Sequence, residues 1–358
     1  MNYYNNYTYS HLIDENFFLK IGSSWLLDSI YLVVISPLSM IGFALNLISY
    51  FTFLKIKLKE TKLYKYLKVY TLSSSLICFM LGFIFITYSP RYFKDFYHPI
   101  VKFYRCRIVS YAVLCLFFFN NLLDILINIE RISIFTDRFN FHRNVNPYKL
   151  STILVVICFV INSPFIFTYE MTSDEIYFNQ NVFNYCTPNE FGKSRLGIWF
   201  NMSVIVIRDV ITLILEIIAS LILIYFYQRY FNNFSSSYYN MSYNVNDDIT
   251  TFSFNKTNGS IYKRENLESK IKYMKQKGRK LLVMTLILSF FSIITHLLSA
   301  IIFVFVINSL GQNRFLHFSL VCLCCLCLAF KHSLNFFIFY IFNSNFQKKI
   351  SKLFFLSL

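Results

Sequence analysis

The stretch Cys106–Phe135, CRIVSYAVLCLFFFNNLLDILINIERISIF, is apolar for most of its length, with a cysteine at one end and the pair Glu130-Arg131 near the other. Cys106 and Arg131 are 25 positions apart. In a helix rising about 1.5 Å per residue they stand about 37 Å apart, more than the ~30 Å hydrocarbon core of a bilayer. One helix therefore holds a thiol on one side of a membrane and a guanidinium on the other. A second cysteine, Cys186, lies in a polar stretch beyond the next apolar run, and so on the same side as Cys106.

Composition agrees with a bilayer as the solvent. Of 358 residues 56% are hydrophobic, 20% aromatic and 15% charged, and the mean hydropathy is +0.49, far from the soluble globular norm. Runs of about 20 apolar residues fall at Leu26–Leu54, Leu63–Tyr88, Phe103–Phe135, Leu150–Tyr169, Leu196–Tyr227, Leu281–Ile307 and Phe315–Phe342. They predict an all-α membrane protein: a bundle of seven transmembrane helices. The length would hold two soluble domains, but apolar runs reach from one end of the chain to the other, and a single bundle accounts for them. Residues 1–25 are then an extracellular tail, 26–342 the seven-helix domain with 229–280 as its third cytoplasmic loop, and 343–358 a cytoplasmic amphipathic helix and tail. The first 25 residues are polar and lack a basic segment leading into an apolar one. No cleaved signal peptide is expected, and the first span serves as its own insertion signal.

Lysine and arginine set the orientation. With the N-terminus outside, the inner segments Lys55–Lys68, Arg131–Lys149, Arg229–Lys280 and Lys348–Lys352 hold 23 basic residues and the outer segments 9. The net charge of +16 is then mostly a cytoplasmic rim facing anionic membrane lipids, and no nucleic-acid partner is needed to explain it. Against the trend, Arg91, Lys94, Lys102, Arg105 and Arg107 lie outside; they either attract an acidic ligand or snorkel to lipid headgroups. The segment 229–280 is poor in apolar clusters and rich in Asn, Ser and Tyr, which predicts disorder at its centre. Its distal end, Lys263–Lys280, extends the sixth helix. Outside the spans, sequons stand at Asn6, Asn233, Asn240, Asn255 and Asn258, of which only Asn6 is on the outer side and expected to carry a glycan.

Three spans carry motifs. Gly42-Phe-Ala-Leu-Asn46 sets a small residue one turn before an amide, Cys106 and Glu130-Arg131 close the two ends of the third span, and Ser333-Leu-Asn335-Phe-Phe-Ile-Phe339 precedes Phe346-Gln-Lys-Lys. On these residues the chain, from about Gly42 to Phe354, resembles the rhodopsin-like (class A) G-protein-coupled receptors. The resemblance implies a plasma-membrane receptor with an extracellular ligand, a heterotrimeric G protein as partner and no cofactor. It implies close helix packing at Gly42 with a buried Asn46 amide, and a Cys106–Cys186 disulfide. Asn335 and Phe339 take the Asn and Tyr places of the family's Asn-Pro-x-x-Tyr segment, and Phe346 opens its amphipathic eighth helix. The Asn-Phe-Phe form of that segment is similar to invertebrate FMRFamide-type neuropeptide receptors, which implies a peptide ligand.

The departures bear on ligand class and on the mode of signalling. Ser73, Ser74 and Ser75 occupy the neighbourhood of the family's sodium-binding Asp, the fourth helix lacks its Trp, and the fifth and sixth lack their Pro. The Cys-Trp-x-Pro of the sixth helix is missing, and Phe336 and Phe339 replace Pro and Tyr. In the family Arg131 is the switch, held by Glu130 until the sixth helix swings out. Here Lys275-Gln-Lys277-Gly-Arg-Lys280 opens the sixth helix with no acid to add a second clamp, so a raised basal activity is expected. Tyr225, near the inner end of the fifth helix, is the expected active-state partner of Arg131.

Ionisable groups within spans are costly in hydrocarbon unless paired, and so are candidates for function. Asp124 lies two turns above Arg131 on nearly the same face, Asn120 one turn further up, and Lys331 one turn before Asn335. In the family these levels line the sodium cavity. With Asn46 and Asn335 they are expected to form a polar cluster in which Asp124 replaces the missing carboxylate and the Lys331 ammonium replaces the cation. The alternative is that Lys331 snorkels or Asp124 is protonated. In the fifth span Asp209 and Glu216 share a face while Arg208 lies about 100° round from Asp209. Arg208, Asp209 and His296 fall near the depth at which the family binds ligands. Asp209 would meet an arginine of a peptide and Arg208 its acidic group; a structural ion pair and a satisfied core histidine are the alternatives.

Cys78, Cys115 and Cys158 read as small apolar fillers. Cys322, Cys324, Cys325 and Cys327 fan around one helix and cannot converge on an ion, so no metal site is expected. No cysteine follows Cys327, which leaves the eighth helix without a palmitoyl anchor and dependent on Ile350, Leu353 and Phe354 beside Lys348, Lys349 and Lys352. The spans contain no HExxH, G-x-S-x-G or phosphate-cradling loop, so an enzyme is not expected. The rival reading is an ion or solute carrier using Asp124, Lys331, Arg208 and Glu216 as a polar pathway, although 8 Gly and 6 Pro supply few of the broken helices carriers use.

Overall fold

The computed structural model describes residues 29–56, 62–84, 103–136, 145–171, 186–249, 276, 278–280, 282–301 and 314–355. The tail with Asn6, the basic residues Arg91, Lys94 and Lys102, the centre of the 229–280 segment, and Lys275 and Lys277 lie outside the described residues, as do the side chains of Cys106 and Cys186.

Helices dominate: α1 (Ile30–Lys55), α2 (Lys62–Gly82), α3 (Tyr104–Val113 running into Leu114–Phe135), α4 (Pro147–Thr168), α5 (Arg195–Tyr230), α6 (Gly278–Ile301), α7 (Arg314–Phe342) and α8 (Ser344–Phe355). Six of them, α1 and α3 to α7, are long and apolar enough to cross a bilayer, and the chain is a multi-pass membrane protein. Their outer faces carry exposed Ile41, Phe51, Ile153, Val160, Trp199, Leu221 and Ile341, apolar side chains that lipid rather than water would cover. α2 is 21 residues long and packs along α1; Lys62, Lys65 and Lys68 in its first turns lower its hydropathy.

Local sequence sets several ends and bends. Pro37, at the start of the regular part of α1, has no amide to return to the preceding turn, and Ile30–Ile35 before it winds as wider π-helix. Asn146 caps α4 by accepting the Tyr148 amide at 3.0 Å, with Pro147 in the first turn. Pro164 interrupts the same helix after Asn162. The Ser194 hydroxyl accepts the Gly197 amide at 3.1 Å and starts α5. The fifth helix continues unbroken to Ile249, past the expected end of its span at Tyr227. Neither Gly nor Pro occurs between Gly197 and Gly259, and adding residues to an existing helix is cheap.

The buried interior is layered. One apolar cluster gathers Tyr31, Ile35, Ile77, Leu81, Val113, Phe117 and Ala329, and another gathers Phe53, Tyr66, Tyr70, Ile127, Phe339 and Phe346. Along α1, α2 and α7 buried polar residues separate the two: Ser39 and Asn46, then Ser73 to Ser75, then Lys331, His332, Ser333 and Asn335; on α3 the same level carries Asn120, Asn121 and Asp124. Antiparallel neighbours thus bring their polar residues to one depth. At the Tyr104 end of α3, β1 (Tyr169–Met171) pairs antiparallel with β2 (Cys186–Pro188), Met171 opposite Cys186, and β1 packs on the Tyr104–Val113 part of α3.

Candidate functional site

The polar layer begins at Gly42. A methyl group there would overlap the Ser333 hydroxyl and come within 3.0 Å of Cys78 Sγ, so only glycine lets α1 approach α2 and α7 this closely. One turn on, Asn46 Nδ2 donates to the carbonyls of Gly42 and His332, both at 2.8 Å. Asn335 Nδ2 donates to Ser74 Oγ at 3.3 Å and to Asn46 Oδ1 at 3.5 Å. Asn120 Nδ2 donates to Ser74 Oγ at 2.8 Å, and Asn120 Oδ1 accepts from Ser73. His332 Nδ1 sits 3.1 Å from Ser74 Oγ. Four helices are tied by amides and hydroxyls at the level where the sequence has serines.

Lys331 lies beside this network. Its Nζ is 3.2 Å from Asp124 Oδ2 and 3.0 Å from both Asn121 Oδ1 and Ser292 Oγ. All three ammonium protons have acceptors, and both ionic side chains are almost wholly enclosed. Lys331 therefore points into the bundle rather than snorkelling. Glu216 of α5 is buried nearby, with no hydrogen-bond partner for either oxygen among the described residues. Asn121, Ser292 and His332 were missed by the sequence reading. The signal was present in α6, where Ser289, Ser292, His296 and Ser299 recur at helical spacing on one face: Ser289 meets Asn128 at 3.2 Å, and Ser292 donates to Asn121 at 3.4 Å.

A second ionic group lies nearer the β1–β2 end. Arg208 Nε and Nη2 donate to Asp209 Oδ1 and Oδ2 at 3.0 and 2.7 Å, and Ser299 donates to Oδ2 at 3.0 Å. Adjacent positions on a regular helix stand about 100° apart and do not face each other, yet here the two side chains meet as an ion pair. Val206–Ile211 is wound as π-helix, Thr212 Oγ1 bonds the carbonyl of Ile207 five residues back, and the wide turn buries both neighbours. With both its oxygens engaged, Asp209 is not open to a ligand's arginine. Arg208 Nη1 has no partner among the described residues, and its guanidinium carbon is 6.0 Å from the centre of the Phe165 ring. His296 Nδ1 is 3.6 Å from Asp209 Oδ1, beyond a hydrogen bond, with the Phe117 ring 5.3 Å away.

At the other end of α3 Arg131 is buried and Glu130 half-buried. Tyr225 is exposed and takes a 3.4 Å contact from Arg229 Nη1 on its own helix. Phe339 packs edge-on to Phe53 at 5.3 Å and against Phe346 at 6.0 Å, an aromatic contact in place of the hydroxyl a tyrosine would bring. Cys78, Cys115, Cys158, Cys322, Cys324, Cys325 and Cys327 are free thiols. Among the described residues no group of His, Cys, Asp and Glu could hold a metal.

No family model matches the chain, and no curated protein is similar to it in sequence. Among solved structures it is similar to crystalline squid rhodopsin, with 13% identity, 92% of this chain and 87% of that chain covered, and a TM-score of 0.58. The fold is that of rhodopsin. At this identity the likeness carries the arrangement of helices, and the roles of individual residues rest on their own geometry.

Proposed function

We propose that this chain is a G-protein-coupled receptor of the plasma membrane, with α2 as the seventh crossing, α8 lying on the inner leaflet and the N-terminus outside. The observation that carries the reading is the rhodopsin arrangement with an arginine, Arg131, buried near the Phe135 end of α3; with the N-terminus outside, that end faces the cytoplasm. An outward swing of α6 would expose that guanidinium to a G protein. The polar layer supplies the two-state element: Ser289 and Ser292 bond Asn128, Asn121 and Lys331, so α6 cannot leave α3 and α7 without breaking these contacts. An extracellular ligand acts by biasing them.

The ligand is a neuropeptide that presents an acidic group to Arg208, while Asp209 and Ser299 hold that arginine in place. Glu130 restrains Arg131 in the resting state, and a disulfide between Cys106 and Cys186 fixes the β1–β2 pair against α3. A carrier fits less well, because Lys331 is saturated by three fixed acceptors instead of standing in an open polar route. The test is a panel of amidated neuropeptides applied to cells expressing the chain, read through calcium and cAMP. Arg131→Ala should abolish the response at unchanged surface expression and peptide binding. Uptake or current in reconstituted vesicles, with signalling intact in Arg131→Ala, would refute the receptor reading.

A further inference from the structure

A cavity of about 530 Å³ lies where α1 ends against α8, lined by Lys55, Ile56, Asn345, Gln347, Lys348, Lys349, Ser351 and Lys352. Its volume is that of a small-molecule site, and four of its eight lining residues are lysines. Asn345, Lys348, Lys349 and Lys352 recur at helical spacing and share one face of α8. The opposite face anchors the helix: Phe346 and Ile350 are buried, and the Phe346 ring lies 5.0 Å from that of Phe53 on α1. The lysine face is thereby held in a fixed place beside Lys55.

Four ammonium groups around one cavity repel one another, and the chain offers them little relief. No Asp or Glu follows Glu268, so α7 and α8 contain no counter-ion, and none of the four lysines pairs with a carboxylate among the described residues. Asn345, Gln347 and Ser351 add neutral donors of the kind that bond phosphate oxygens and sugar hydroxyls. We propose that this cavity binds the polyphosphorylated headgroup of an anionic membrane lipid. Several phosphates on one ring would meet several ammoniums at once, whereas a single phosphate or carboxylate would leave most of them unneutralised. The lipid source rests on the proposed inner-leaflet position of α8, where anionic headgroups stand at the depth of the lysines.

The experiment is native mass spectrometry of the full chain in detergent, with phosphatidylinositol bisphosphate, phosphatidylserine or phosphatidylcholine added at equal concentration. The bisphosphate lipid should give the dominant adduct, and each lysine changed to glutamine should weaken it about fivefold. K348Q/K349Q/K352Q should then nearly erase the adduct, K55Q should weaken it from the α1 side, and K149Q, a cytoplasmic control, should leave it unchanged. Equal adducts with phosphatidylserine, or an undiminished adduct in the triple variant, would overturn the site. Soluble inositol trisphosphate binding as tightly as the lipid would overturn the lipid assignment. Labelling of Lys348 from outside intact cells would instead refute the proposed orientation, with the adduct pattern still standing.

Discussion

Lys331 and Asp124 are the pair on which the interior depends most. Their attraction must offset the loss of two hydration shells, and the geometry helps because Asn121 and Ser292 take the other ammonium protons. Lys331→Met leaves Asp124 buried and unpaired, at a cost of about 3–5 kcal/mol, whereas Asp124→Leu with Lys331→Met restores an uncharged, filled space and should recover most of that loss. Thermal unfolding midpoints of the detergent-solubilised single and double variants would show it; equal midpoints for all three would mean the pair carries no stability. The same geometry makes a second expectation. With an ammonium already on Asp124, exchanging sodium for choline should leave the wild-type midpoint and basal signal unchanged, while Lys331→Met should acquire a sodium dependence. Asp124 and Lys331 could be singled out in the sequence because charge in an apolar run is conspicuous. Asn121 and Ser292 could not, since serine and asparagine are tolerated on many helix faces.

Among the helices, α8 and α1 are the most exposed to single changes. Phe346 fills a space bounded by Phe53, Phe336 and Phe339, and Phe346→Ala removes contacts worth about 3–5 kcal/mol. Because α8 packs on the ends of α1 and α7, the loss should appear locally: amide exchange should quicken through Ser344–Phe355 with little change in the rest of the bundle, and an unaltered exchange rate in α8 would contradict the docking. Gly42→Ala should cost about 1–3 kcal/mol, read as a lowered unfolding midpoint, since the added carbon collides with Ser333 and Cys78. Six of the seven apolar runs correspond to described helices long and apolar enough to cross a bilayer, whereas the second run is helical as α2 without reaching that mark. Two features escaped. The extension of α5 to Ile249 depends on the absence of breakers more than on any apolar pattern, and the π-wound turn at Val206–Ile211 has no proline to announce it.

The bundle as a whole puts its ionic groups at separate depths, with Arg131 at one end, Asp124 and Lys331 in the middle and Arg208 with Asp209 towards the other. This order would let a ligand at the outer group bias the contacts of α6 without touching Arg131, which lies at the far end of α3. The orientation is checked by tagging: an N-terminal epitope should be reached by antibody on intact cells and a C-terminal one only after permeabilisation. The reverse pattern would place α8 and its lysines outside and remove the G-protein reading.

The sequence by itself determined that this chain lives in a bilayer, how many apolar segments it has and which charges they must bury, because the cost of polar groups in hydrocarbon constrains composition one residue at a time. Only the tertiary structure decided which of those groups meet. Lys331 finds Asp124 across more than two hundred positions of sequence, and Arg208 turns inward to its own neighbour, because helix packing and one widened turn set directions that spacing along a single helix does not contain.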